Sequence, residues 1–229
     1  MFLLYNSGIA LYQAGIKLAA KWNEKAGLLA KGQNSSFSIL QEKIIPGQKY
    51  VWFHASSLGE FEQGRPLIEE LKRRSPEKKV VLTFFSPSGY EVRKNYTGAD
   101  VVVYLPMDTP GNVCRFLDIV KPEKAVFIKY EFWANYLTAL KKRGIPTYLV
   151  SAIFRPQQAF FKWYGGWYRK LLSAFTHLYV QDNSSEELLK TIGVTNVTVA
   201  GDTRFDRVAE IAAQAKELPL VEAFAKGRR

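Results

Sequence analysis

Two carboxylates and a guanidinium stand just past apolar runs of this sequence, in stretches that read as turns at the carboxyl ends of strands. The first stretch, His54-Ala55-Ser56-Ser57-Leu58-Gly59-Glu60, follows Tyr50-Val51-Trp52-Phe53 and opens a helical pattern. The second carboxylate lies in Lys129-Tyr130-Glu131-Phe132-Trp133-Ala134-Asn135, and the guanidinium in Gly201-Asp202-Thr203-Arg204-Phe205-Asp206. A fourth polar junction, Thr83-Phe84-Phe85-Ser86-Pro87-Ser88-Gly89-Tyr90, puts hydroxyls, proline and glycine before another helix, where Ser86 or Ser88 serves equally as an N-cap. Two carboxylates and an arginine on one rim can supply a general base, an electrostatic partner for developing positive charge and an anchor for a leaving phosphate. An acid at a helix start is also a common partner of the helix dipole, which lowers its pKa. A base at that position needs burial or a like charge to lift it back, and Glu131 is a candidate like charge for Glu60.

Other chemistries lack their signatures. There is no G-x-G-x-x-G after the first strand, no G-x-x-x-x-G-K-[ST] and no H-E-x-x-H, which removes the main support for dinucleotide, Walker-type and zinc-hydrolase readings. The Asp-x-Asp pair with which many sugar transferases hold a divalent metal is missing, and Glu60-x-Glu62 would point its acids to different helix faces. His54 and His177 are the only histidines, so neither a metal site nor a cofactor is expected. The single cysteine, Cys114, excludes an intrachain disulfide, suits a reducing compartment and reads as a small buried hydrophobe beside Val113 and Phe116.

The elements that must position these residues follow from the pattern. With 229 residues, 47% of them hydrophobic, the chain can bury a full core. Strands are predicted at 50–54, 79–84, 101–104, 125–129, 147–151, 178–181 and 197–200, alternating with helices at 60–74, 87–95, 110–119, 132–143, 160–174 and 184–192. Strict alternation with nearly continuous apolar strands predicts α/β architecture: a Rossmann-like, doubly wound parallel sheet covered on both faces. A polar linker is expected around Gly32 to Ser38, and the domain over residues 39–216, closing with a helix from Phe205 to Lys216. Residues 217–229 read as the start of an interdomain linker.

Residues 1–30 are predicted to form an amphipathic helix. Phe2, Ile9 and Ile16, with Tyr5, Tyr12, Leu4, Leu11 and Leu18, fill one broad face, while Asn6, Gln13, Lys17, Lys21 and Glu24 gather opposite. A span needs about 20 predominantly apolar residues, so this run is expected to lie on a membrane, or to pack on the domain, without crossing. The aromatic and basic stretch Phe160 to Lys170 adds weight to membrane contact. The net charge of +11 calls for an anionic partner or surface. Its basic clusters fall at the ends of predicted helices without any nucleic-acid-binding motif, so nucleic acid is not expected.

Taken together, Trp52 to Glu60, Tyr104-Leu105-Pro106-Met107-Asp108, Lys129 to Leu137 and Gly201 to Asp206 resemble, in order, the amino-terminal half of the 3-deoxy-D-manno-octulosonic acid (Kdo) transferases of lipopolysaccharide synthesis. The resemblance implies the amino-terminal domain of a two-domain GT-B glycosyltransferase at the cytoplasmic face of the bacterial inner membrane. Such an enzyme moves Kdo from CMP-Kdo to the lipid A precursor, lipid IVA, with inversion and without a metal. By the same resemblance Glu60 matches the general base, and Glu131 and Arg204 match positions that stabilise the transition state. Arg204 stands where many members have lysine, which alters donor geometry. His54, Ser56, Ser57, Gly59, Ser86 and Lys129 are the implied acceptor-binding positions. The donor-binding carboxyl-terminal domain lies outside this sequence, so the chain alone is expected to hold acceptor and base but to bind donor poorly. A GT-B enzyme for another nucleotide sugar and a non-catalytic membrane-surface binding domain are the competing readings.

Overall fold

The computed structural model describes residues 1–205. Its centre is one seven-stranded sheet, β1 (Tyr50–Ala55), β2 (Lys79–Phe84), β3 (Val101–Tyr104), β4 (Pro122–Ile128), β5 (Thr147–Ala152), β6 (His177–Val180) and β7 (Val197–Val199). All pairings are parallel and the order is β3-β2-β1-β4-β5-β6-β7. The predicted strands therefore hold to within a few residues. The predicted last helix and residues 217–229 lie outside the described residues, apart from Phe205.

Strand alternation explains the double winding. Val51 and Phe53 face one side, where α3 (Leu58–Arg74) supplies Phe61 and Ile68 and β2 supplies Val80 and Leu82. Tyr50 and Trp52 face the other side, toward Phe116 of α5 (Pro110–Val120) and Tyr136 of α6 (Ala134–Lys142). Both faces of β1 are buried, which is why that strand reads as an uninterrupted apolar and aromatic run. The short α4 (Pro87–Arg93) follows β2, and α8 (Asn183–Thr191) follows β6.

The amino-terminal region departs from expectation. Two helices, α1 (Phe2–Ala19) and α2 (Glu24–Lys43), meet at Asn23, whose side chain accepts a hydrogen bond from Ala26 N at 3.0 Å. The segment expected as a polar linker, Gly32 to Ser38, is the middle of α2. Its small and hydroxyl residues are packing devices. A Cβ on Gly32 would stand 2.2 Å from the Tyr104 ring, and Ser36 Oγ donates to Tyr104 O at 2.8 Å. Gln33 Nε2 donates to Leu105 O at 2.9 Å, so α2 lies against the β3 end of the sheet.

The helix predicted over 160–174 is broken into a 3-10 turn at Ala159–Phe161 and α7 (Gly166–Leu172). Gly165 sits in the break, where a Cβ would meet Ala159 O at 2.0 Å, and Arg169 reaches back to Phe160 O and Lys162 O at 2.9 and 3.1 Å. Cys114, read from sequence as a buried hydrophobe, is exposed. It lies one position off the inward face of α5, which is formed by Val113, Phe116 and Leu117. No helix of the described residues is long and apolar enough to cross a membrane.

Candidate active site

In a doubly wound sheet, the crevice opens where successive strands depart in opposite directions. Here that point is between β1 and β4, since the chain runs from β1 outward through β2 and β3 and then returns to β4 on the other side. Glu60 follows β1 and Glu131 follows β4, so both expected carboxylates border the switch point.

Glu60 is the third residue of α3 and closes a capping box with Ser57. Its Oε2 accepts from Ser56 N at 2.6 Å and Ser57 N at 3.2 Å, while Ser57 Oγ accepts from Glu60 N at 3.5 Å. Two backbone donors would ordinarily depress a carboxyl. Burial and then the charge of Glu131 outweigh them, together with the smaller opposing effect of His54, and leave Glu60 above the ordinary carboxylate range.

Glu131 is almost wholly buried, at 8% exposure. Trp133 Nε1 donates to its Oε2 at 2.6 Å, and His54 Nε2 lies 3.0 Å from the same oxygen. Burial pushes this carboxyl up, but the donors of His54, Ser56 and Trp133 and the proximity of the imidazole carry it below the usual value. The two acids are thus displaced in opposite directions, the pattern that lets paired carboxyls take different roles.

The other expected residues divide by position. His54 has no exposure, and its Nδ1 lies 2.9 Å from Thr83 Oγ1, so it stands beneath Glu131 and cannot meet an acceptor sugar. Ser56 is half-buried, and its carbonyl accepts from Ser86 N at 2.6 Å, which ties the turns after β1 and β2 together. Ser57 and Ser86 cap α3 and α4. Gly59 is exposed in the first turn of α3 with open space where a Cβ would stand. Lys129 and Ser151, at the ends of neighbouring β4 and β5, hold φ of 63° and 57°. Strained backbone of this kind concentrates at functional sites.

Arg204 is joined to neither acid by a hydrogen bond. Its guanidinium grips Asp202, with Nε at 2.9 Å from Oδ2, and its side chain is exposed. The turn that carries it folds back on α3 one helical turn beyond Glu60, through Thr203 Oγ1 donating to Gln63 O at 2.8 Å and Gln63 Nε2 to Asp202 at 3.4 Å.

Sequence reasoning did not single out Asp108 or the aromatic wall. Asp108, fully buried, accepts from Tyr5 Oη at 2.6 Å and from Asn135 N and Tyr136 N at 3.0 Å each. It caps α6 from another loop and clamps α1 beside the Glu131 turn. Tyr12, Phe85 and Trp133 form a line of rings, with centroids 6.2 and 4.7 Å apart, leading from α1 to Glu131. Asp108 and Trp133 lie in segments that carry the family resemblance, and Phe85 and Trp133 each stand just past a strand.

The fold is of the GT-B-like class shared by glycosyltransferases and nucleotide-sugar epimerases. Solved structures of UDP-GlcNAc 2-epimerase from Neisseria meningitidis, bound to UDP-GlcNAc, and from Methanocaldococcus jannaschii superpose with TM-scores of 0.56 and 0.53. Each is 16% identical over 78% of this chain and 53% or 52% of its own, a likeness of fold alone. The particular family comes from sequence: residues 20–207 match the family model of 3-deoxy-D-manno-octulosonic-acid transferase (kdotransferase), and the chain belongs to that family. The 3-deoxy-D-manno-octulosonic acid transferases of Aquifex aeolicus and Bordetella pertussis are 31% and 32% identical, each over 68% of this chain. The aligned region covers 40% and 38% of those proteins, so the chain spans about two fifths of the length of the curated relatives it matches.

Proposed function

We propose that this chain is the acceptor-side half of a Kdo transferase, which moves Kdo from CMP-Kdo to lipid IVA with inversion and without a metal. The observation that carries this reading is the pair Glu60 and Glu131 at the switch point, with ionisations pushed apart. Glu60 takes the proton of the acceptor hydroxyl as it attacks the anomeric carbon. Its raised affinity for that proton brings the base nearer the working pH. Glu131, held ionised, offsets oxocarbenium-like charge, and Arg204 turns from Asp202 toward the departing CMP phosphate. In the full-length protein, Glu60→Gln is expected to retain lipid IVA binding and lower kcat about 100-fold or more. Loss of lipid IVA binding with unchanged kcat would instead make Glu60 an acceptor ligand.

The acceptor reading extends to α1. One edge of that helix docks on the domain through Tyr5, Asn6 and the buried Ile9, while Leu3, Leu4, Leu11 and Leu18 remain exposed. Trp22 and Trp163 add exposed indoles at 73% and 93%. These residues form a surface for the cytoplasmic leaflet of the inner membrane, and the Tyr12, Phe85 and Trp133 line gives acyl chains a route toward the acids. Replacing Leu3, Leu4, Leu11 and Leu18 together by Gln is expected to abolish sedimentation with vesicles containing anionic lipid while leaving the fold intact. Unchanged sedimentation would remove the membrane assignment.

A further inference from the structure

His54 was expected at the acceptor surface, and its complete burial leaves it without that role. Its surroundings give it another. Trp52 Nε1 donates to Thr83 Oγ1 at 2.8 Å and occupies one lone pair of that hydroxyl. His54 Nδ1 lies 2.9 Å from that hydroxyl and 3.1 Å from the Thr83 carbonyl oxygen, so Thr83 holds this side of the ring through both groups. On the opposite side Nε2 lies 3.0 Å from Glu131 Oε2, and because a carboxylate oxygen only accepts, Nε2 is the donor of that bond. The Trp133 indole nitrogen lies 2.6 Å from Oε2 and 3.1 Å from His54 Nε2, so its hydrogen belongs to the carboxylate. Glu131 thus has a donor beneath it and a donor beside it, both on rigid aromatic frames. The His54 ring is itself packed edge-on against Phe127 and Trp133, with centroids at 5.7 and 6.5 Å.

We propose that His54 and Trp133 are positioning residues that fix the Glu131 carboxylate at the switch point, with the His54 ring held from behind by Thr83 and Trp52. The proposal rests on the transferase reading for its purpose, but its physical content is independent of turnover. The titratable groups that face Glu131 are His54 from β1 and Glu60 from α3; those that face Glu60 are Glu131 and His54. Removing a donor from a buried carboxylate weakens its charged form, and a weaker charge on Glu131 relieves its neighbour. The two acids therefore shift in opposite directions, a signature that loosened packing alone does not produce.

The test is a carboxyl carbon-13 NMR titration of this chain labelled at glutamate, comparing wild type with His54→Phe, Thr83→Val and Trp133→Phe. Glu131 is expected to move up by about one pH unit in His54→Phe and Trp133→Phe, a tenfold change in its ionisation constant, while Glu60 moves down in Trp133→Phe, the variant that leaves the direct lowering effect of His54 on Glu60 in place. Thr83→Val, which removes the hydroxyl from Nδ1 but keeps the Thr83 backbone carbonyl, shifts both in the same senses by less. His54→Gln, which keeps a side-chain N–H, is expected to restore part of the wild-type titration. Unmoved midpoints for both acids in folded Trp133→Phe, or in folded His54→Phe, would overturn the proposal. Trp133 is only partly buried, so that variant decides the matter even if the buried His54 substitution fails to fold. Should Glu60→Gln keep full turnover while these shifts appear, the transferase role of Glu60 fails and the positioning of Glu131 stands.

Discussion

At the scale of single residues, identity and spacing located the acids, but their inequality came from the three-dimensional surroundings. Glu60 and Glu131 are the same side chain in two settings: one half-buried against a like charge, the other deeper but supplied with donors. Because Glu60 holds its proton more tightly in the folded protein, its linkage to stability runs opposite to that of a salt-bridged acid. Proton binding stabilises the fold fully below the unfolded pKa, and that contribution is lost as pH rises through the folded pKa. Glu60→Gln, whose amide oxygen can still accept in the capping box, is therefore expected to raise Tm at neutral pH, with the gain shrinking in acid. A variant no more stable than wild type at neutral pH would contradict the raised pKa. Arg204 was legible as a cation on the rim, whereas its pairing to Asp202 depends on the turn geometry, which the spacing does not encode. His54 was legible as part of a polar junction, but whether a residue at a strand end points to solvent or inward depends on the sheet's register.

At the scale of elements, the strands were the most legible part, because parallel strands buried on both faces leave long apolar runs. Misreadings arose where small residues serve close approach. Gly32 and Ser36 look like linker residues, yet they let α2 lie against Tyr104. Gly32→Leu would drive side-chain atoms into that ring and is expected to cost about 1–3 kcal/mol in denaturant unfolding; a neutral result would return this segment to a loosely packed role. The Tyr5 to Asp108 bond makes α1 part of the domain, an attachment that helical periodicity cannot show. Removing one donor from a buried carboxylate by Tyr5→Phe is expected to cost about 1.5–3 kcal/mol. Unaltered stability would show that α1 is held by its apolar contacts alone. Glycine in the α7 region marks a true break, so the same residue type signals opposite outcomes in Gly32 and Gly165, and only the neighbouring contacts distinguish them.

At the scale of the whole molecule, a doubly wound sheet converts two distant sequence junctions into one crevice, with Glu60 and Glu131 just past the ends of adjoining strands though 71 positions apart, the difference between their numbers. The charge of +11 also has a bland component: Lys72, Arg73 and Arg74 end α3, Lys141 and Lys142 end α6, and Arg169 and Lys170 end α7. Several of the basic residues are paired, as Lys72 is with Asp100 and Lys78 with Glu123, each at 2.7 Å. The apolar face of α1 thus carries more of the membrane reading than net charge does. The central claim is that Glu60 is the base of Kdo transfer, and its most direct test is the pH dependence of kcat for the full-length protein and its Glu60→Gln variant with CMP-Kdo and lipid IVA. The account predicts a wild-type acid limb above the ordinary glutamate value of 4.5, and a residual rate in the variant from which that limb has vanished. A variant that turns over at the wild-type rate with the same acid limb would contradict it.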